Sequence, residues 1–290
     1  MNDATEFLRP RSIDEAVAML AAHEDARPLA GGATLVAMLN AGLIEPDAIV
    51  SLSGIEELRG IQAQENGGLR IGAMTRHAET AASALFRDGQ QVVPHAAGQI
   101  ANMPVRNMGT MGGSISFADP AIDYPPALTA AGAEIEIAGP GGTRRVPCGE
   151  FFLDWYTTAL EPGELVAAIH VPPAPAGSVG HYEKLARVSG DYAIVSVALV
   201  LAMDGGLCSA AQIAVGACGP VPIRLAAAEE ALVGSSLDAE TLAWGGAMLA
   251  EASDPVDDVR GSADYRRRVI PRLLAKAVAA ARAKMIEEAA

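Results

Sequence analysis

The chain has 290 residues, half of them apolar and 19% charged, enough for two or three folded domains, which excludes a disordered chain. Its formal net charge of −14 argues against nucleic acid as a partner, because neutralising phosphates needs a basic face. Cys148, Cys208 and Cys218 are too widely spaced for a disulfide framework or a metal or iron–sulfur motif, the five histidines show no ligand spacing, and no nucleophile elbow is present. The expectation is therefore no catalytic residue and no metal site on this chain. No secretory leader pattern stands at the N-terminus, and no apolar run nears the roughly 20 residues a bilayer span requires, so a cytoplasmic chain without a membrane span is expected.

In chain order, Ser12 with Glu15 three residues on reads as a capping box opening a helix. "RPLA" then gives a short strand, Gly31-Gly32 a turn, "ATLVAMLNAG" a helix closed by Gly42, and "DAIVSLS" another strand. From Ile55, "LRIGAMT" reads as a strand, Thr75 as the cap of a helix through Ala82, and "VVPHAAGQIA" as helical after Pro94. Glu134 to Ile137 alternates with period two, and "GPGG" at 139–142 turns it into a hairpin with "TRRVP". "LVAAIHVP" (165–172) is one more strand. Trp155 and Tyr156 read as core or interface residues. A proline-rich linker at 172–177 precedes three strands (180–187, 192–203, 207–217) and three helices (near 223–233, 238–252 and 262–287), a sequence of an α+β domain with helices on one face of an antiparallel sheet. Arg266–Arg268 reads as a solvated or interface face. The domains are expected at 1–54, 55–175 and 176–290.

Two glycine stretches carry the chemistry: Gly-Gly-Ala-Thr at 31–34 and Thr-Met-Gly-Gly-Ser at 110–114. Paired glycines let the backbone approach a ligand, successive N–H groups can converge on an anion, and a neighbouring hydroxyl adds a hydrogen bond. Two such loops could hold a pyrophosphate from opposite sides. Neither matches the dinucleotide fingerprint or the P-loop. Read alone, each is as consistent with an ordinary turn.

In register along the chain, "LAGGATLVAMLNAGL", "VRNMGTMGGSISFADPAIDYPPAL", "FFLDWYTTALEPGELV" and "YEKLARVSGDYAIVSVAL" resemble four motifs of the FAD-binding medium subunits of molybdenum hydroxylases, the xanthine dehydrogenase and carbon monoxide dehydrogenase medium-subunit family. The resemblance covers nearly the whole chain and is nearest the carbon monoxide dehydrogenase branch. It implies an α+β fold, with a two-subdomain FAD-binding region of the vanillyl-alcohol-oxidase (PCMH) type followed by an α+β C-terminal domain. It also implies cofactor contacts from Ala30, Gly31, Gly32, Ala33, Thr34 and Leu35 in the first loop, and from Thr110, Met111, Gly112, Gly113 and Ser114 in the second. Asp123 would be a cofactor-binding carboxylate, Lys184 a lysine near the flavin, and Tyr192 an aromatic against the isoalloxazine. Met108 stands where the family commonly has Arg, and Asp119 reads as a turn residue.

The same resemblance implies FAD on this chain, a molybdenum cofactor on a large partner subunit and two [2Fe–2S] clusters on a small one, assembled as a dimer of heterotrimers. Electrons from substrate oxidation would pass through the clusters to FAD and leave to an external acceptor. A stand-alone FAD-dependent oxidoreductase, or a non-catalytic nucleotide-binding scaffold, are the competing readings of the same residues.

Overall fold

A computed structural model describes residues 5–288. Strands β1 (Glu6–Leu8), β2 (Ala26–Leu29) and β3 (Ala48–Ser51) form a parallel sheet of order β1-β3-β2, with helices α1 (Ile13–Ala21) and α2 (Leu35–Asn40) as crossovers. Ser12 caps α1 as the sequence predicts: its hydroxyl accepts from the Glu15 N–H, while the Glu15 carboxylate accepts from the Arg11 N–H at 2.7 Å. Ala16, Val17 and Leu20 are the buried face of α1.

The second region is an antiparallel sheet of order β4-β5-β10-β6-β7, and its edges are strands β4 (Ile61–Ala63) and β7 (Gly142–Pro147). Its inner strands are β5 (Leu69–Gly72), β6 (Glu134–Gly139) and β10 (Leu165–Val171). The short pair β8 (Phe152–Asp154) and β9 (Thr157–Thr158) stands apart from it. Central β10 is buried along its whole length, which is why it reads as a continuous apolar run rather than an alternation. Helices α3 (His77–Ala82), α4 (Val92–Gly98), α5 (Met103–Met108), α6 (Met111–Phe117), α7 (Tyr124–Ala130) and the single turn α8 (Cys148–Phe151) complete the region.

Strands β11 (Val179–Leu185), β12 (Val195–Asp204) and β13 (Leu207–Gly216) form the third sheet, followed by helices α9 (Ala226–Leu232), α10 (Ala239–Glu251) and α11 (Ala263–Glu288). Strand β12 shows how the parts are joined. Its Val195, Val197, Leu199 and Leu201 pack into the core under α10 and α11, whereas Ala198 and Val200 belong to the core of the preceding region. The period-two alternation of a strand thus serves two cores, and no polar face is needed. The face toward α7 is lined with small residues, and a Cβ on Gly216 would lie 2.8 Å from Pro126 Cγ. The sheet therefore has the expected helices on one face and the preceding region on the other.

Four local expectations change. Thr75 does not cap α3: its hydroxyl donates to the Gly60 carbonyl, and Arg76 holds the cap position. Helix α4 starts at Val92, with Pro94 in its first turn, where no intrahelical N–H is lost. Arg266 is 3% exposed rather than solvated, donating to the carbonyls of Ile194 and Ala217 and pairing with Asp258 at 2.6 Å. Trp155 and Tyr156 are exposed, Tyr156 at 57%, in the tip joining β8 to β9, which removes the core reading and leaves the interface one. No helix among the described residues is long and apolar enough to cross a membrane.

Helix α4 meets the third sheet and α11 through His95. Its ring lies 6.0 Å from that of His181, and Lys284 Nζ is 3.0 Å from His95 Nε2. Burial, then the Lys284 charge and His181, push His95 down to about 4, and burial with the Arg106 charge does the same to His77. Both imidazoles are neutral when folded but titrate near the ordinary value of about 6.5 when unfolded, so their contribution is complete above that pH and drains away as pH falls toward 4. For the more buried His77, linkage puts the effect on the order of 3 kcal/mol. The urea midpoint is expected to fall between pH 6.5 and 4.5, with a shallower fall in His95→Gln. Parallel curves for the two proteins would refute this.

Candidate functional site

Both glycine loops face one cleft of about 400 Å³. The first leaves the end of β2. A Cβ on Gly31 would overlap the Met108 carbonyl oxygen and come within 2.9 Å of Gly109 Cα, so the two loops touch backbone to backbone there. Gly32 has φ +79°, a left-handed conformation that only glycine adopts without strain. The N–H groups of Gly31, Gly32, Ala33 and Thr34 have no partner among the described residues, and the Thr34 hydroxyl makes no capping bond to α2. This loop is a concave run of unpaired backbone donors beside a free hydroxyl, the arrangement that binds anions without a cation.

The second loop works differently from the N–H cradle expected. Thr110 caps α6, its Oγ1 accepting from Gly113 N at 3.2 Å, while Met111 N donates to Thr75 O at 2.9 Å and Gly112 N to Ala73 O at 2.8 Å. Those donors are spent on anchoring. The glycines allow the close approach: a Cβ on Gly112 would sit 2.5 Å from Ala73 Cβ, and one on Gly109 2.6 Å from His77 Nε2. What this loop turns to the cleft are Ser114 and Ser116, whose hydroxyls have no hydrogen bond among the described residues.

A third wall went unread in the sequence. Ile100 and Ala101 line the cleft, their carbonyls both held by Arg106 Nη1 at 2.7 Å. Gly190, at φ +84°, presses against Ala101 so closely that a Cβ would overlap its carbonyl oxygen. That contact brings Asp191 and Tyr192 to the mouth. The glycine in "SGDY" was the one available signal, and nothing local says that its partner lies some ninety residues earlier.

Asp123 sits at the start of α7 but caps nothing. Its Oδ1 accepts from the Tyr182 hydroxyl at 2.7 Å and pairs with Lys184 Nζ at 2.9 Å, and Lys184 also donates to Gln99 O at 2.8 Å. Burial pushes the Asp123 carboxyl up, opposed by the Lys184 ammonium and the Tyr182 hydroxyl. Asp119, by contrast, shapes the turn, its Oδ1 accepting from Ala121 N at 2.9 Å.

Of the residues singled out in the sequence, Ala30, Gly31, Gly32, Ala33, Thr34 and Leu35, Thr110, Gly112, Gly113 and Ser114, Asp123 and Tyr192 all line this cleft. Met111 and Lys184 do not: Met111 is a buried anchor of α6, and Lys184 stands behind Asp123. Arg27 is the sole Lys or Arg among the lining residues described, and it is paired with Asp25 at 2.7 Å. An anion there is met by backbone dipoles, and apolar Ile44, Leu52, Ile122 and Leu160 supply a surface for a flat, uncharged end. Unpaired donors, free hydroxyls and glycines whose missing Cβ atoms let the two loops close together fit a pyrophosphate-bearing cofactor with an aromatic end.

Fold and cleft together define a chain that holds such a nucleotide cofactor, built from a parallel sheet, an antiparallel sheet with helices and a C-terminal antiparallel sheet with helices on one face. A family model described as the FAD binding domain in molybdopterin dehydrogenase matches residues 3–174, and one described as the CO dehydrogenase flavoprotein C-terminal domain matches 180–281. The chain is 38% identical over 280 residues to the carbon monoxide dehydrogenase medium chain of Afipia carboxidovorans, covering 96% of this chain and 97% of that one. It is 36% identical over 271 residues to the glyceraldehyde dehydrogenase medium chain of Sulfolobus acidocaldarius, covering 93% and 96%. The fold superimposes on a chain of the Cu,Mo-CO dehydrogenase crystal structure in its cyanide-inactivated form with a TM-score of 0.92 at 38% identity, covering 98% and 99%. The chain belongs to the family of FAD-binding medium subunits of molybdopterin dehydrogenases, and FAD is its cofactor.

Proposed function

We propose that this chain is the electron-exit subunit of a cytoplasmic molybdenum-containing dehydrogenase, with FAD held between the two glycine-bearing loops. The observation that carries the reading is the run of unpaired N–H groups from Gly31 to Thr34 facing the second glycine loop across one cleft. Bound there, FAD supplies exchange of electrons singly or in pairs. Partners would be a large subunit with the molybdenum cofactor and a small one with two [2Fe–2S] clusters, in a dimer of heterotrimers, and an external acceptor would take the electrons on. Relatives named for carbon monoxide and for glyceraldehyde match over nearly the whole chain, which supports placing the choice of substrate on the large subunit. Three buried free cysteines suit a reducing compartment.

The roles of the residues follow from their surroundings. Gly31 to Thr34 bind the pyrophosphate through the backbone, and the Thr34 and Ser114 hydroxyls add donors. Asp123 Oδ2 makes no hydrogen bond among the described residues and would accept from the cofactor, and Lys184 with Tyr182 favours the charged form. Tyr192 offers its ring at the mouth. The division at 1–54, 55–175 and 176–290 then places the cofactor between the first two parts, with Tyr192 and Lys184 supplied by the third. Affinity purification through this chain, followed by metal analysis, tests the assignment: molybdenum and iron should accompany FAD. FAD without either metal would favour the stand-alone flavoenzyme.

A further inference from the structure

Tyr192 is 39% exposed and lies in the loop between β11 and β12, yet its ring is not loose. The Arg260 guanidinium lies over it, 5.0 Å from the ring centroid. Arg260 comes from the segment ahead of α11 and is itself fixed. Its backbone N–H donates to Asp258 Oδ1 at 2.8 Å, its Nη1 lies 3.8 Å from Asp258 Oδ2, and its Nε lies 4.0 Å from Asp191 Oδ1. The same Asp191 oxygen accepts from the Tyr192 N–H at 2.8 Å. Asp258 is tied in turn to buried Arg266, which holds the Ile194 and Ala217 carbonyls together at the open end of the β12–β13 hairpin. A continuous run of hydrogen bonds and longer ion pairs therefore leads from the core beneath α11 to one aromatic ring at the mouth of the cleft.

We propose that Arg260 is a positioning residue for the cofactor site: it stacks on Tyr192 and holds that ring in place for the aromatic end of FAD. The proposal rests on the FAD reading given above. A tyrosine in an exposed loop samples several rotamers, and a ring that must meet a flat partner gains from being fixed beforehand. A guanidinium suits the task because it is planar, always charged and matched to an aromatic face. Fixation comes from the segment ahead of α11 together with Asp191 of the loop itself. Arg260 is not among the described residues that line the cleft.

The test uses the assembled complex with its FAD, comparing wild type, Arg260→Ala, Arg260→Lys, Tyr192→Ala and the double variant. The readouts are the rate of FAD release on dilution, the flavin absorption envelope and the thermal midpoint. An exposed cation–π contact predicts release about two- to fivefold faster in Arg260→Ala, with the midpoint unchanged and only a minor part of the effect restored by Arg260→Lys, which keeps the charge but not the plane. In the Tyr192→Ala background, removing Arg260 should add nothing, because the ring it positions is gone. Unchanged release in Arg260→Ala, or an undiminished effect without Tyr192, would overturn the proposal. Wild-type complex that holds no FAD would instead overturn the cofactor reading itself.

Discussion

Gly31→Ala is expected to cost roughly tenfold or more in FAD retention. The added Cβ would overlap the Met108 carbonyl oxygen and crowd Gly109 Cα, and both obstacles are backbone. No rotamer relieves such a clash, so the loops must separate, and the unpaired N–H groups from Gly31 onward move away from Ser114 and Asp123. Gly32→Ala is the informative contrast. Its Cβ meets only the flexible Val36 side chain, at 3.2 Å, and Leu29, so its cost is the left-handed φ of +79°, about 1–2 kcal/mol. Measured as flavin per chain after gel filtration, Gly31→Ala should fall far below Gly32→Ala. Equal retention in the two would show that the close approach of the loops does not shape the site.

Lys184→Met is expected to destabilise the protein by about 3–5 kcal/mol, because it leaves the Asp123 carboxylate buried without its ion-pair partner. Both side chains are almost wholly enclosed, Lys184 at 3% and Asp123 at 7% exposure, so solvent screens little of the loss. Adding Asp123→Asn removes the orphaned charge and should restore most of the stability measured by urea unfolding. FAD retention should not return in the double variant, since the carboxylate proposed to accept from the cofactor stays absent. Recovery of both properties together would make Asp123 a purely structural residue. Failure of stability to recover would mean that the Lys184 contact with Gln99 O, not the charge pair, is what joins the domains.

Much of this was legible in the sequence because it is local. The Ser12–Glu15 cap, the strand–glycine–helix order around Gly31, the Glu134–Ile137 alternation and the closing strands and helices each sit within a few residues. The loops were legible as loops for the same reason, and four motifs in register led to the family. What escaped depends on distant partners. The N–H groups of Met111 and Gly112 look as free in the sequence as those of Gly31 and Gly32, and only the carbonyls of Ala73 and Thr75 consume them. Arg266 sits in a basic run, yet it is drawn inward by carbonyls some fifty and seventy residues away. Strand β12 reads as one buried strand, but its division between two cores follows from helices before and after it in the chain. Lys184 reads as a lysine near the flavin, and nothing local shows that its nitrogen meets Asp123 and Gln99 O.

The central claim is that FAD resides on this chain, between its two glycine loops. The most direct measurement is the flavin content of the purified assembly with and without this subunit, and with Gly31→Ala in its place. One FAD is predicted per copy of the chain, none in the assembly lacking it, and a severe loss with Gly31→Ala. Flavin retained when the subunit is absent, or a complete assembly with the wild-type subunit and no flavin, would contradict the account.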